Sequence, residues 1–353
     1  IKNHFNFEFF GGNAAETEKR TKVKARVMAN ALGELIADSS SVFIMGHKNA
    51  DFDAVGAAAG VRRIASSKGV PAYIVIDPEN TMSRQLIDHL KTSDDYADAF
   101  ITVSDAMIKS DSRSLLVVVD TSRPEETESQ DLLLSLTRVA VIDHHRRAAT
   151  YIDNATVNFN EPYASSACEL VTELLQYIVD QRTILRVEAD ALLTGIVLDT
   201  KTFAIHTGSR TFDAAAFLRR LGADTVDVKM LMQSDFSTAM ARYEIIRGAN
   251  IYRDGVAVAS SASAASRVII AQSADELLNI AGVSASFVLA PNDGGIFISG
   301  RSIGHVNVQL ILEKLGGGGN QSIAGGRMDG VGADGALAAL HAAIDGYLAE
   351  HPQ

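Results

Sequence analysis

Short apolar segments alternate with longer segments of helical periodicity through the first 150 residues of the chain. The helical segments are rich in small residues, as in 54–65, and the apolar segments cover 42–45, 73–76, 115–119 and 139–142. Strands that are apolar on both faces and alternate with helices are typical of a parallel sheet covered by helices on both sides. The pattern therefore predicts an α/β domain with a parallel sheet and helices on both faces.

A second pattern follows these 150 residues. Residues 165–250 are mostly helical in periodicity, including 189–198, and helices are predicted at 306–315 and 335–349. Further strands are predicted at 256–259, 268–271, 287–290 and 296–299. This second group predicts a smaller α+β domain. We expect a catalytic domain at 41–223, a helical linker at 224–250 and a substrate-binding domain at 251–353, with the active site in the cleft between the domains.

Residues 1–40 fit neither domain. Phe5, Phe7 and Phe9 alternate as in a single strand, and residues 16–36 have the apolar spacing of a helix. The chain begins with Ile1 rather than Met. We therefore expect 1–40 to hold a residual strand of an upstream domain and a linker helix.

Composition narrows the class of protein. The 353 residues, 47% of them apolar, are enough for two domains with cores of their own. The net charge of -11 argues against a protein that grips long nucleic acid through a basic face. The single cysteine, Cys168, excludes a disulfide framework and a thiolate metal cluster. The longest strongly apolar run, 115–119, is too short to span a membrane.

Histidine and aspartate residues follow three of the predicted strands and end one apolar helical segment. In chain order they are His47, Asp51, Asp53, Asp120, Asp143, His144, His145 and Asp199. The carboxyl ends of parallel strands meet at one edge of a sheet, where ligands bind. We therefore expect these side chains to lie close together.

Their chemistry is that of a metal site with oxygen and imidazole ligands. Such ligands favour Mn²⁺ over Mg²⁺, with Zn²⁺ or Fe²⁺ as alternatives. Four clustered aspartates would repel one another, and two cations about 3.5–4 Å apart would neutralise them. Any one of these aspartates, taken singly, is better explained as the N-cap of the following helix. Two adjacent histidines after a buried strand have little capping value, so the set together favours two divalent cations.

Four motifs resemble those of the DHH phosphoesterase superfamily. They are 46–54 (Gly-His-Lys-Asn-Ala-Asp-Phe-Asp-Ala), 119–121 (Val-Asp-Thr), 143–145 (Asp-His-His) and 199–200 (Asp-Thr). In the smaller domain, 299–302 (Ser-Gly-Arg-Ser), 307–308 (Asn-Val) and 316–319 (four glycines) are similar to the companion DHHA1 domain. The resemblance covers nearly the whole chain from residue 41 onward and implies a hydrolase.

The resemblance also implies ligand sets and roles for these residues. It implies one metal held by His47, Asp51 and Asp120, and a second held by Asp53, Asp120, His144 and Asp199. It further implies that Asp120 bridges the two ions, that Asp143 orients its neighbours, and that His145 donates to the phosphate being cleaved.

Within the superfamily, 19–27, 160–166 and 207–212 resemble cyclic-di-AMP phosphodiesterases of the GdpP type. This implies Mn²⁺-dependent cleavage of cyclic di-AMP to 5′-pApA by metal-activated water. It also implies substrate contacts by Arg301, Gly317, Gly318, Gly319 and Asn320. Asn320 stands where the family has histidine, and asparagine cannot carry charge, so this position bears on substrate choice.

Other functions stay open from the sequence. The same superfamily includes pAp phosphatases and short-oligonucleotide hydrolases, and a non-catalytic cyclic-dinucleotide sensor is the alternative from another class. We expect a cyclic dinucleotide as ligand, with pApA or cyclic di-GMP as further candidates, and neither long nucleic acid nor a membrane in contact with this chain. The resemblance implies a homodimer, a soluble cytoplasmic fragment, and a longer parent protein at the cytoplasmic face of the cell membrane.

Overall fold

A computed structural model describes residues 14–77, 81–253, 255–304 and 306–351. The chain divides into two compact units, Ile1–Gln233 and Ser234–Gln353. This division falls inside the predicted linker at 224–250, while the exact domain boundaries and the position of the active site in a cleft stay predictions. The strand predicted from Phe5, Phe7 and Phe9 lies outside the described residues.

The first unit contains a six-stranded parallel sheet. Its strands are β1 (Val42–Met45), β2 (Ala72–Val75), β3 (Phe100–Ile101), β4 (Leu115–Val119), β5 (Arg138–Asp143) and β6 (Val157–Asn160). Their order in the sheet is β3-β2-β1-β4-β5-β6. The α-helices of the unit are α1 (Ala14–Ala37), α2 (Phe52–Ser67), α3 (Arg84–Leu90), α4 (Val103–Lys109), α5 (Gln130–Ser135), α6 (Ala167–Ile178), α7 (Arg186–Asp199), α8 (Ser209–Arg220) and α9 (Thr225–Leu231).

Alternate residues of the central strands face two separate cores. Val42 and Ile44 of β1 pack into a core with α1, α2, α6 and α7, whereas Phe43 and Met45 pack into a second core that includes Leu132 of α5. Both faces are therefore buried, which is why these strands are apolar at every position. The prediction of a parallel sheet with helices on both faces is confirmed.

The second unit contains a six-stranded mixed sheet of order β11-β12-β10-β9-β8-β7. Its strands are β7 (Asn250–Arg253), β8 (Val256–Ser260), β9 (Ala285–Asn292), β10 (Gly295–Ser302), β11 (Gly318–Gly319) and β12 (Ile323–Asp329). All neighbours are antiparallel except β8 and β9, which are parallel. The helices are α10 (Phe236–Arg247), α11 (Arg267–Leu277), α12 (Val308–Glu313) and α13 (Ala333–Glu350).

The predicted strand at 268–271 is wrong, because this segment is part of helix α11. Ser266 caps the helix by accepting a hydrogen bond from the backbone N–H of Ile269. Ile270, Ala274 and Leu277 are then buried on one face at helical spacing. The β-branched run resembled a strand over four residues, but the apolar period over eleven residues is that of a helix.

Within the part of the chain that the structure describes, no helix combines the length and the apolar character that a crossing of the bilayer requires.

Candidate metal centre

The predicted site residues lie where three neighbouring strands end. Strands β1, β4 and β5 are adjacent in the sheet and parallel, so their carboxyl ends lie side by side. His47 follows β1, Asp120 follows β4, and Asp143 is the last residue of β5. Side chains that are distant in sequence therefore meet at one edge.

Asp51 is both a helix cap and a member of this cluster. Its Oδ1 accepts hydrogen bonds from the backbone N–H groups of Asp53 (2.9 Å) and Ala54 (3.1 Å) at the start of α2. The same Oδ1 lies 3.7 Å from Nε2 of His47. Asp51 can therefore cap the helix and bind a cation at the same time, because its carboxylate has further lone pairs that the cap does not use.

Asp53 is fully buried beneath the cluster. Its two carboxylate oxygens accept hydrogen bonds from the first two backbone N–H groups of α6, those of Ala167 (2.7 Å) and Cys168 (2.9 Å). A helix N-terminus favours a negative charge, so α6 fixes the orientation of this carboxylate. Gly195 of α7 packs against it closely, since a Cβ at that position would lie 2.9 Å from the Asp53 Cα.

Asp120 occupies the centre of the cluster. Its Oδ2 lies 3.5 Å from Nε2 of His47, and its Oδ1 lies 3.4 Å from Nε2 of His144 and 3.7 Å from Nδ1 of His145. The backbone of Asp120 has a φ of 59°, in the left-handed region that aspartate and asparagine adopt more readily than most residues. This conformation is confined to the single residue that turns the chain out of β4.

His144 links Asp120 to the end of α7. Its Nε2 lies 3.2 Å from Oδ2 of Asp199 and 3.9 Å from Oδ2 of Asp53. Three sets of side chains have ligand atoms within 4.8 Å of one another, namely His47 with Asp51 and Asp120, Asp53 with His144 and Asp199, and Asp120 with His144 and His145. All six predicted metal ligands are therefore brought together.

The electrostatics are those of crowded carboxylates and imidazoles. Burial alone would lower the pKa of His47, but Asp120 and Asp51 outweigh it and raise that pKa to about 11. Burial and the charges of Asp120 and Asp199 raise the pKa of Asp53 well above its usual value. Burial raises the pKa of Asp199 to about 6. Burial alone would raise the pKa of Asp120, but His144 and His47 outweigh burial and hold that pKa well below the usual range.

The donor set and its unmet hydrogen-bonding capacity fit divalent cations. Oδ1 of Asp120 and Nε2 of His144 are buried and, within the part of the chain that the structure describes, make no hydrogen bond. Buried polar atoms without partners are costly unless something else satisfies them. Carboxylate oxygens and imidazole nitrogens suit Mn²⁺, and sulfur is absent from the set because Cys168 keeps its thiol in the core.

Asp143 and His145 form a pair at the edge of this cluster. Oδ1 of Asp143 accepts from the backbone N–H of His145 (3.1 Å) and lies 2.9 Å from its Nδ1. Since a carboxylate only accepts, Nδ1 carries a proton and Nε2 is the free nitrogen of the ring. Burial alone would lower the pKa of His145, but the hydrogen bond with Asp143 outweighs burial and raises that pKa. The His145 side chain is 59% exposed, so it can reach a ligand.

Asn160, which the sequence motif contains without a predicted role, holds this pair in place. Its Nδ2 donates to Oδ2 of Asp143 (3.2 Å) and to the carbonyl of His145 (3.0 Å). Nζ of Lys24 in α1 donates to the Asn160 carbonyl at 3.0 Å and lies 3.4 Å from Oε2 of Glu161. Asn160 ends β6, so the same strand-end argument would have found it had β6 been predicted.

The predicted substrate-binding residues all belong to the second unit. Arg301 is on β10, where its Nη1 donates to Oγ of Ser299 (2.8 Å) and to the Gly300 carbonyl (3.0 Å), and its Nε lies 3.2 Å from Oδ1 of Asp275. These neighbours, two on β10 and one on α11, hold the guanidinium within the second unit. Its predicted contact with substrate stays a prediction.

The glycine run is partly built into the sheet of the second unit. Gly318 and Gly319 form β11, paired with β12, and a Cβ at Gly317 would lie 2.5 Å from the Gly325 carbonyl oxygen. Oδ1 of Asn320 accepts from the N–H groups of Ser322 and Ile323, both at 2.9 Å. The side-chain N–H groups of Asn320 remain the part that is able to donate to a ligand.

Family comparisons cover both units. Residues 41–196 match the DHH family, N-terminal domain, and residues 254–350 match the DHHA1 domain. The first match contains the whole cluster except Asp199, and the second contains Arg301, the glycine run and Asn320.

Individual proteins are similar over most of the chain. The cyclic-di-AMP phosphodiesterase GdpP of Bacillus subtilis is 43% identical over 348 residues, which are 97% of this chain and 53% of the relative. The cyclic-di-AMP phosphodiesterase PdeA of Listeria monocytogenes is 43% identical over 344 residues, 96% of this chain and 52% of the relative. The chain thus spans about half the length of these curated relatives.

A solved structure has the same fold. An exopolyphosphatase-related protein of Bacteroides fragilis superposes with a TM-score of 0.77 at 19% identity, covering 91% of this chain and 96% of that one. At this identity the similarity concerns the fold alone.

Proposed function

The chain belongs to the DHH family and carries a DHHA1 domain, and from this premise we propose that it is a metal-dependent phosphodiesterase that hydrolyses cyclic di-AMP to 5′-pApA. Two relatives at 43% identity carry the name cyclic-di-AMP phosphodiesterase, which supports the substrate. The observation that carries the chemistry is the convergence of His47, His144 and His145 on Asp120, at 3.4–3.7 Å.

His47, Asp51, Asp53, Asp120, His144 and Asp199 would hold two divalent cations, with Mn²⁺ as the proposed ion and Asp120 shared between them. When bound, such cations supply an activated water and screen the charge that develops on a phosphate. The protein contributes a fixed ligand set, because Asp51 is anchored on α2 and Asp53 on the N-terminus of α6.

The remaining residues provide a proton and orientation. In the proposed reaction a water oxygen forms a bond to phosphorus and the bond between phosphorus and the 3′-oxygen breaks, so that the 3′-oxygen leaves and takes up a proton. His145 is the proposed donor to the phosphate region. Its Nδ1 is held by Asp143 at 2.9 Å, and the raised pKa of His145 favours the protonated ring, which is the form that can donate.

Arg301, Gly317, Gly318, Gly319 and Asn320 are the proposed substrate contacts of the DHHA1 domain. We further propose that the chain acts as a homodimer, within a longer protein at the cytoplasmic face of the membrane. These features follow from the sequence resemblance, and each is separately testable by mutagenesis, by molecular mass in solution and by fractionation of the parent protein.

Product analysis tests the proposal. Protein stripped with EDTA and reloaded with Mn²⁺, Mg²⁺ or Zn²⁺ is incubated with cyclic di-AMP, cyclic di-GMP, pApA or pAp, and products are separated by anion exchange. We expect 5′-pApA from cyclic di-AMP, fastest with Mn²⁺. A preference for pAp would favour a pAp phosphatase or short-oligonucleotide hydrolase, and binding of cyclic di-AMP without turnover in excess Mn²⁺ would favour a sensor.

A further inference from the structure

A cleft of about 710 Å³ lies in the first unit, lined by Arg146, Tyr163, His206 and their neighbours. Its walls come from three loops, each of which is attached to the metal centre. Arg146 follows His145, Tyr163 lies three residues after Asn160, and His206 is in the turn that follows Asp199. Because Asn160 donates to the His145 carbonyl at 3.0 Å, the first two loops are also tied to each other. The volume is within the range of about 300–1,000 Å³ typical of small-ligand sites.

Three side chains of this cleft are exposed and have no interaction partner among the described residues. Tyr163 is 83% exposed, and Arg146 and His206 are also exposed. Across residues 14–77, 81–253, 255–304 and 306–351, none of these three side chains makes a hydrogen bond, an ion pair or a ring contact. An aromatic ring, a guanidinium and an imidazole are together the groups that contact a base and a phosphate.

The turn that carries His206 is strained. Lys201, Thr202, Phe203 and His206 all have positive φ, between 46° and 62°. Such conformations are unfavourable for non-glycine residues, above all for β-branched ones such as threonine, and they cluster at ligand sites. The turn is held by Thr200, whose Oγ1 accepts from the N–H of Phe203 at 2.9 Å. The backbone strain therefore lies in the segment that joins Asp199, a proposed metal ligand, to the cleft.

We propose that this cleft binds the second nucleotide of the dinucleotide, the half whose phosphate is not at the metal centre. The base stacks on Tyr163, the second phosphate contacts Arg146, and His206 contacts the edge of the base. This assignment rests on the proposed function for the identity of the nucleotide. The assignment follows from the size of the substrate. When one phosphate of a cyclic dinucleotide is at the metal centre, its second base and second phosphate must bind elsewhere.

Tyr163→Ala tests the stacking contact. Loss of one stacked base weakens binding by about tenfold. We expect KM for cyclic di-AMP to rise about tenfold with kcat within about twofold, and Tyr163→Phe to keep the wild-type KM. With bis(p-nitrophenyl) phosphate, a phosphodiester that has no nucleobase, both parameters should stay unchanged. Tyr177→Ala is the matched control, as an exposed tyrosine of α6 that is not part of the cleft.

Arg146→Gln tests the phosphate contact against Arg147→Gln, its neighbour, which packs on the Tyr151 ring instead. We expect only Arg146→Gln to raise KM for cyclic di-AMP. Equal effects of Tyr163→Ala and Tyr177→Ala, an unchanged KM in Tyr163→Ala, or equal losses on both substrates would overturn the proposal.

Equilibrium binding separates this proposal from the proposed function. Calorimetry with cyclic di-AMP uses Asp120→Asn as background, so that ligand is not consumed, and saturating Mn²⁺ compensates for the weaker metal affinity of this variant. Weaker binding after Tyr163→Ala supports the cleft even if the wild type fails to hydrolyse cyclic di-AMP, an outcome that would reject only the proposed function. Equal binding with and without Tyr163→Ala, or no binding at all, rejects the cleft.

Discussion

Asp120 combines a left-handed backbone, with φ of 59°, and a carboxylate within 3.7 Å of three histidine rings. Asp120→Asn keeps the shape and tolerates this φ, whereas alanine would add backbone strain. Loss of a partner behind a metal ligand already costs about 10–100-fold in activity. We therefore expect Asp120→Asn to lower kcat on cyclic di-AMP by more than about 100-fold, measured by product formation under saturating Mn²⁺.

The control for Asp120→Asn is Asp98→Asn, which makes the same change at an exposed position. Both variants should unfold within a few degrees of the wild type in EDTA. Activity of Asp120→Asn near that of Asp98→Asn would remove the support for a shared ligand.

Gly195 is required by the approach of α7 to the metal centre. A Cβ there would lie 2.5 Å from the Cys168 sulfur and 2.9 Å from Oδ1 of Asp53. Overpacking in a core typically costs about 1–3 kcal/mol. We expect Gly195→Ala to lower the free energy of unfolding by this amount and to weaken Mn²⁺ binding, as measured by urea unfolding and by calorimetry.

Gly33→Ala is the matched control, because Gly33 is also inside a helix but its nearest neighbours would lie at 3.7 Å. Replacing a helical glycine by alanine without a clash is stabilising. The two substitutions should therefore change stability in opposite directions, and a gain in both would refute the close packing at Gly195.

At the residue scale, the sequence predicted which acidic and histidine side chains the fold brings together, but not the groups that hold them in place. The clustering of the six proposed ligands could be predicted because each follows a strand or ends a helix, in residue types with few other uses together. Ala167 and Cys168 act through their backbone N–H groups, which every residue except proline has, so no residue type marks them.

At the scale of elements, α1 and β6 reach the metal centre through Lys24 and Asn160. Asn160 donates to Asp143 and to the His145 carbonyl, and Lys24 donates to the Asn160 carbonyl. We expect Asn160→Ala to lower kcat by about 10–100-fold with KM within about twofold, since it orients groups rather than binding substrate. Steady-state kinetics on cyclic di-AMP measures both parameters.

Lys24→Met tests the contribution of the helix. It keeps much of the apolar stem and removes the donor, and we expect a smaller fall in kcat, which Lys24→Arg should restore. Arg26→Met loses the same charge from an exposed position of α1 and should have no effect. Equal effects of Lys24→Met and Arg26→Met would show that net charge, and not the contact with Asn160, is responsible.

The predictions were correct for strands that are buried on both faces. They missed strands that are short or lie at an edge of the sheet. β1 and β4 match their predicted bounds because every residue in them is apolar. β3 has two residues, and β6 alternates buried and half-buried positions at the sheet edge, so neither forms an apolar run. α11 was mistaken for a strand because a four-residue window contains less than two helical turns.

For the molecule as a whole, a net charge of -11 would repel an anionic substrate. The charges close to the proposed site resolve this conflict. Four of the acidic side chains, those of Asp51, Asp53, Asp120 and Asp199, belong to the metal centre. Two divalent cations would offset these four charges. Attraction for phosphate would then arise from the bound cations and from Arg146 in the cleft, and an acidic surface elsewhere would disfavour long nucleic acids.

The same electrostatics predict that metal binding competes with protons. Metal ligands must be deprotonated, and in the metal-free protein the pKa of His47 is raised to about 11, that of Asp199 to about 6, and those of His144 and Asp53 well above their usual values. Because His47 stays protonated from pH 6 to 8, its proton is released on binding throughout this range. Affinity for Mn²⁺ should therefore rise by about tenfold per pH unit for each proton displaced, and more steeply below pH 6, where Asp199 also protonates.

Calorimetry in buffers of different ionisation enthalpy measures this release directly, and thermal unfolding gives a readout that does not depend on activity. A ligand at 100 times its Kd stabilises the folded state by about 2.7 kcal/mol. Since affinity is higher at pH 8 than at pH 6, a fixed Mn²⁺ concentration should raise the Tm of the first unit more at pH 8, and EDTA should reverse the rise. Asp120→Asn should show a smaller shift at both pH values. An Mn²⁺ affinity that is independent of pH, with equal heats in all buffers, would mean that the cation does not displace a proton from His47.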